Sequence, residues 1–144
     1  MIEVFKSKIG TRASEQGLAP LSRWLDGKLV AAEVGSLSVE FDIREDFANP
    51  AMILHGGVAA AMMDEVMGMT VYSLGKDAFF ASVNLNVDYL RPAKVGETVL
   101  VKSEIIKDGH TIVHAECVIT NQEGKIVAKS VSNLVRTNFG FKKA

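Results

Sequence analysis

The chain has 144 residues, 48% of them hydrophobic and 23% charged, which is enough for one domain with its own core and too short for a second of ordinary size. Sixteen basic and 17 acidic side chains nearly cancel, to a formal net charge of −1, which argues against a general electrostatic affinity for nucleic acid or anionic membranes. The single cysteine, Cys117, can form no internal disulfide, and no Cys/His cluster has zinc-site spacing, so a reducing compartment is expected.

From Met1 to Gly10 apolar and charged residues alternate, without the apolar run of a secretory signal, and a cytoplasmic protein is expected. Residues 2–9 and 14–26 read as helical or irregular, with Trp24 and Leu25 as anchors. Leu29–Val34 and Leu37–Arg44 then read as strands joined through Gly35 and Ser36, a first hairpin. The weakly charged stretch from Ala48 to Leu74 is interrupted by His55, Asp64 and Glu65, so no transmembrane helix is predicted. Within it, Gly56 to about Leu74 is rich in Ala and Met, lacks proline and predicts the one long helix.

The second half reads as strands at Phe79–Leu90, Thr98–Lys107, Thr111–Asn121 and Lys125–Arg136. Lys107-Asp108-Gly109-His110 and Asn121-Gln122-Glu123-Gly124 supply turn chemistry between them. The first of these strands alternates most cleanly: positions 79, 81, 83, 85, 87 and 89 are apolar, while 82, 84, 86 and 88 are Ser, Asn, Asn and Asp, which predicts one buried face. The order of elements predicts an α+β fold, its long helix laid across a twisted antiparallel sheet of five to six strands.

Asp64 and Glu65 are the only strongly acidic groups of the long helix, and neither has a Lys or Arg three or four residues away. A helix this apolar buries most of its circumference, and a buried carboxylate is costly unless paired, protonated or hydrogen-bonded. Adjacent helical positions diverge by about 100°, so a solvent strip holding both acids would be wide; one acid is expected to face a cleft. His55-Gly56-Gly57 precedes the same helix, where unpaired N–H groups and the positive dipole end suit an anion.

Gly56 and Asp64 are eight residues apart, about 12 Å along one helix. If the helix N-terminus binds an oxyanion and Asp64 activates the attacking group, the two must come from two antiparallel copies of the helix. That combination requires a homodimer with two composite sites.

Asn49-Pro50-Ala-Met-Ile-Leu-His55-Gly56-Gly57, then Asp64, then Ser82-Val-Asn-Leu-Asn-Val-Asp-Tyr-Leu-Arg91-Pro92-Ala93, resembles the hotdog-fold acyl-CoA thioesterases of the phenylacetate-degradation (PaaI-like) type. The resemblance covers roughly residues 28–137. It implies a central helix wrapped by an antiparallel sheet, protomers joined edge to edge into homodimers, and dimers paired into homotetramers. It further implies that Asp64 is the general base, or alternatively the nucleophile, on an acyl-CoA thioester whose oxyanion binds the Gly56 N–H of the other protomer. Gly57 continues this glycine pair. Asn49 matches the position that holds the carbonyl or the attacking water, His55 the one that orders the loop, and Ser82 a polar residue beside the catalytic carboxylate. Glu65 is expected to turn away and be partly solvated or hydrogen-bonded.

No metal or redox cofactor is required, coenzyme A being part of the substrate: a thioester carbonyl is activated and thiolate leaves readily. Met63 and Met67 are candidates for an acyl pocket, against a plain core role. Arg91 and Lys94 are the first candidates for the coenzyme A phosphates, followed by the turn at His110 and by Arg136. A hydratase or dehydratase of acyl thioesters on the same fold, and a non-catalytic acyl-CoA-binding module, are the competing readings.

Overall fold

The structure is a computed structural model and describes residues 1–17 and 19–140. Leu18, within the segment read as helical or irregular, lies outside the described residues. That segment contains two short helices, α1 (Ile2–Ser7) and α2 (Pro20–Leu25), with a 3-10 turn at Ala13–Glu15 between them. Pro20 stands at the first position of α2, where its missing N–H costs nothing, and Asp26 ends the helix in the left-handed region at φ 54°. Leu25 is buried, whereas Trp24 stays 41% exposed and sets the edge of its ring against Phe47.

The first hairpin is β1 (Lys28–Glu33) and β2 (Ser36–Asp42), turning through Val34-Gly35 with Gly35 at φ 76°. The long helix, α3, runs from Gly56 to Tyr72. It is followed by β3 (Phe80–Ser82), β4 (Asn86–Tyr89), β5 (Thr98–Asp108), β6 (Ile112–Thr120) and β7 (Ile126–Arg136). All pairings are antiparallel, in the order β1-β2-β5-β6-β7, and both β3 and β4 pair along the far side of β7. In the turn between β6 and β7, Asn121 Oδ1 accepts the N–H groups of Glu123 and Lys125, and Gly124 takes φ 77°.

Helix α3 lies against the inner face of this sheet, contacting β2, β3, β5, β6 and β7. Ala59, Met62, Met63, Val66, Met67, Thr70 and Val71 are its buried positions, spaced by three and four as one helical face requires. They meet Val39 and Phe41 of β2, Val99 and Val101 of β5, and Val113 and Ala115 of β6 in one apolar core. No described helix is long and apolar enough to cross a membrane.

The sheet has seven strands rather than five or six, because the segment expected as one strand over Phe79–Leu90 is two. Ser82 pairs with Leu134 and Asn86 with Val131, so four steps on this side match three on β7. One residue is extra, and the Asn84 carbonyl and side chain fill the gap by accepting from Ser132 Oγ and the Asn133 N–H. The inserted residue reverses the alternation of faces. Before it Phe80 is buried; after it the half-buried Val87 packs on the core.

The clean apolar face predicted at 79, 81, 83, 85, 87 and 89 is therefore not a buried face of this chain. Phe79, Val83 and Tyr89 are 42%, 60% and 55% exposed. They lie at the sheet edge formed by β3 and β4, where no further strand among the described residues covers them.

Candidate active site

His55 caps α3 in an unusual way: its Nδ1, in place of the usual Ser or Asp oxygen, accepts the Gly57 N–H at 2.8 Å. Acceptance at Nδ1 leaves the ring proton on Nε2, at an exposed position. The His55 carbonyl takes the N–H groups of Val58 and Ala59. Among the described residues nothing accepts the N–H of Gly56, the first residue of the helix, while its carbonyl accepts Tyr89 Oη–H at 2.6 Å. A Cβ on Gly56 would lie 3.1 Å from the Tyr89 ring, tighter than ordinary contact, so only glycine fits without a shift.

The loop before the cap is held by Asn49, whose Oδ1 accepts the Ala51 N–H at 3.0 Å and the Ile53 N–H at 3.4 Å. Its amide NH2 has no partner among the described residues. Met52, inside this turn, adopts φ 59°, a left-handed conformation that a non-glycine residue rarely takes.

Two turns further along α3, Asp64 is exposed and Ser82 Oγ donates to its Oδ1 at 2.8 Å. Oδ2 has no partner among the described residues. Glu65 diverges as expected, is half-buried and accepts a hydrogen bond from Ser22 of α2. Both acids line a cavity of about 690 Å³ between α3, β1, β2, β3 and the N-terminal segment.

Met63 and Met67 are fully buried in the core and do not line this cavity; Met69, on the other side of the helix, does. Helical phase accounts for this burial, since 63 and 67 share the sheet-facing stripe with Ala59, Val66 and Thr70. The Gly57 N–H is committed to His55 Nδ1.

Arg91 and Lys94 sit at the Gly56 end of α3, because the Leu54 N–H bonds the Ala93 carbonyl and Ile53 pairs with Lys94. Both are exposed, and Arg91 Nη1 donates to the Ile126 carbonyl at 2.9 Å. His110 lies at the opposite end, where Lys76 donates to the Gly109 carbonyl and Arg136 Nε to that of His110. A 17-residue helix spans about 25 Å, so one chain does not bring His110 to Arg91 and Lys94. Arg136 also holds Asp77 at 2.8 Å, and this hydrogen bond lowers the Asp77 carboxyl below its usual range. No three His, Cys, Asp or Glu side chains converge as a metal site among the described residues.

Tyr89 and Ser22, which hydrogen-bond to Gly56 and Glu65, are the contacts of the candidate site that sequence reasoning missed. Tyr89 was hidden in an apolar alternation, although its hydroxyl is the one polar tip in that series. Ser22 carries no signal in sequence; only the fold sets it opposite Glu65.

The family model of the thioesterase superfamily matches residues 52–128. Human acyl-coenzyme A thioesterase 13 is 30% identical over 128 residues, 88% of this chain and 87% of its own. A Streptococcus pneumoniae thioesterase protein solved with coenzyme A superposes with a TM-score of 0.73 at 25% identity, over 77% of this chain and 88% of that one. The Escherichia coli PaaI protein of the phenylacetic acid degradation operon shares the fold, with a TM-score of 0.82 over 96% of this chain and 97% of that one at 17% identity.

Proposed function

The chain belongs to the thioesterase superfamily and has its hotdog fold, and from that premise we propose that it hydrolyses acyl-CoA thioesters to a free acid and coenzyme A, with Asp64 as general base. The observation that carries this reading is the Ser82–Asp64 hydrogen bond. It fixes one carboxylate oxygen and leaves the other open to water at the mouth of an apolar cavity.

Asp64 takes a proton from water as the oxygen attacks the thioester carbonyl. The carbonyl π pair moves to oxygen, and the oxyanion is received by the partner subunit's Gly56 through its unbonded N–H at the positive end of the helix. Collapse re-forms the carbonyl and breaks the C–S bond; the thiolate of coenzyme A leaves and is protonated. Asn49 and His55 present a free amide NH2 and a ring N–H on the same loop, both suited to the carbonyl or the water. A serine beside the base orients it without contributing charge.

The composite site follows from distance, about 12 Å along α3 between Gly56 and Asp64 in one chain. The exposed apolar edge of β3 and β4 supports a homodimer formed there, and by family resemblance dimers would pair into tetramers. Antiparallel α3 helices would also set the His110 end of one protomer beside the Arg91 and Lys94 end of its partner, a cationic rim for the coenzyme A phosphates. The free, buried Cys117 suits a reducing compartment such as the cytoplasm.

Thiol release from a panel of aliphatic and aromatic acyl-CoA esters tests the reaction, with wild type and Asp64→Asn run in parallel. Turnover lost in the variant supports hydrolysis by Asp64. Ester binding without turnover in either protein would make the chain a binding module.

A further inference from the structure

The turn at Glu45–Phe47, just before the site loop, is held by a stack of two rings and a guanidinium. Arg44 lies over the Phe47 ring, 3.9 Å from its centroid, and over that of Trp24 at 5.4 Å. Trp24 comes from α2, and its ring meets that of Phe47 at 69° with centroids 4.9 Å apart. Arg44 Nε and Nη2 donate to the two carboxylate oxygens of Asp46 at 3.0 and 3.3 Å, and this hydrogen bonding lowers the Asp46 carboxyl below its usual range. The fork fixes the plane of the guanidinium, and so the face it shows to Phe47.

As a surface ion pair Arg44–Asp46 would be worth little, since both side chains are partly exposed. Its significance lies in what Phe47 holds on its other side. Phe47 is fully buried, and its carbonyl accepts the His55 N–H at 2.8 Å. His55 then caps α3 through the Gly57 N–H and joins directly to Gly56. Ala48 and Leu54, the chain neighbours of Phe47 and His55, pair with each other, so a shift of the Phe47 backbone is passed to His55 at two points. One residue thus carries the stack on its ring and the start of the long helix on its carbonyl.

We infer that Arg44 is a positioning residue of the candidate active site: by pinning the Phe47 ring it sets where the His55 backbone stands, and with it the direction of the Gly56 N–H. The inference rests on the thioesterase reading above and deepens it. A small misplacement of the group that receives an oxyanion slows the chemical step and leaves ground-state binding nearly as it was. Lysine in place of Arg44 keeps the charge but has neither the fork for Asp46 nor a flat face for the rings, so Arg44→Lys removes the stack alone.

The test is steady-state thiol release from the same panel of acyl-CoA esters, with heteronuclear NMR of the histidine rings and glycine amides, in wild type, Arg44→Lys and Asp46→Asn. The expected result for Arg44→Lys is a kcat lower by about 5–50-fold with KM within about twofold of wild type. The His55 ring and Gly57 amide resonances should move, while the rings of His110 and His114, the other two histidines, stay in place. Asp46→Asn, at the surface, should do the same to a smaller degree, and it carries the test if Arg44→Lys does not fold. A lower melting temperature with kcat and the His55 resonances unchanged would make the stack a structural brace and overturn the inference, as would a loss carried by KM alone. Displaced His55 resonances in proteins that turn over no ester, wild type included, would uphold the positioning and sink the hydrolase reading. Wild-type turnover undiminished in both variants would do the reverse.

Discussion

Ser82 and Tyr89 stand seven residues apart, an odd separation that in an unbroken strand puts two side chains on opposite faces, yet both hydrogen-bond to α3. Ser82 reaches Asp64 Oδ1 and Tyr89 reaches the Gly56 carbonyl. The extra residue between β3 and β4 makes this possible by reversing the alternation between them. One edge segment thereby supports the acid in the middle of the helix and the N–H at its start.

Removing the base should remove the chemistry. Asp64→Asn keeps the size of the side chain and the Ser82 contact but cannot accept a proton from water, so kcat should fall about 10²–10⁴-fold with little change in KM. Ser82→Ala loses only a positioning hydrogen bond, and a fall of roughly 5–30-fold is expected. Steady-state thiol release measures both; equal losses would mean that Ser82 does more than orient.

Gly56→Ala places a methyl group 3.1 Å from the Tyr89 ring, so the ring or the helix start must move. A displaced N–H should lower kcat roughly 10–100-fold while melting temperature falls little. Tyr89→Phe, which keeps the ring and drops the hydrogen bond, should cost about 1 kcal/mol of stability in a denaturant titration.

Complementation tests the shared site. Asp64→Asn and Gly56→Ala chains, each impaired alone, should together exceed the activity of either when unfolded and refolded as a mixture. A mixed dimer holds one site with both lesions and one with neither. Absence of recovery, with mixed dimers demonstrated by mass, would place base and oxyanion donor in one chain. In the same spirit, Val83→Lys at the exposed edge should lower the sedimentation mass below that of wild type, with circular dichroism unchanged and activity lost.

Burial pushes the Cys117 thiol up to about 12, so the neutral form dominates in the native protein near pH 8. Iodoacetamide should label it slowly in the folded state and rapidly in denaturant. Because the folded-state value is raised, the unfolded thiol ionises first. This group thus favours the native state least at pH values above the ordinary thiol range, and Cys117→Ala should flatten that part of the stability profile.

The acid pair and the His-Gly-Gly helix start could be read from residue order, because each is local: a spacing along one helix and a cap before it; Ser82 was singled out by the family resemblance. The long helix and the hairpins were legible for the same reason, being written in periodicity and turn chemistry over short windows. The bulge between β3 and β4 was not. Its register depends on how β7 pairs alongside, and an apolar alternation through the insertion looks like one continuous strand.

Tertiary structure alone decided which face of α3 each residue shows. Met63 and Met67 look like pocket residues in a Met-rich run, but the sheet takes their stripe and leaves Glu65, Gly68, Met69 and Tyr72 to the cavity. The helix is apolar nearly all round, so composition could not mark its core side; contact with β2, β5 and β6 did. Sequence by itself determined the chemistry available to this chain, since functional-group identity and local spacing are covalent facts. Which groups meet across 18 residues, as Ser82 and Asp64 do, or across 43, as Ser22 and Glu65 do, was settled only when packing closed the sheet and the N-terminal segment around the helix.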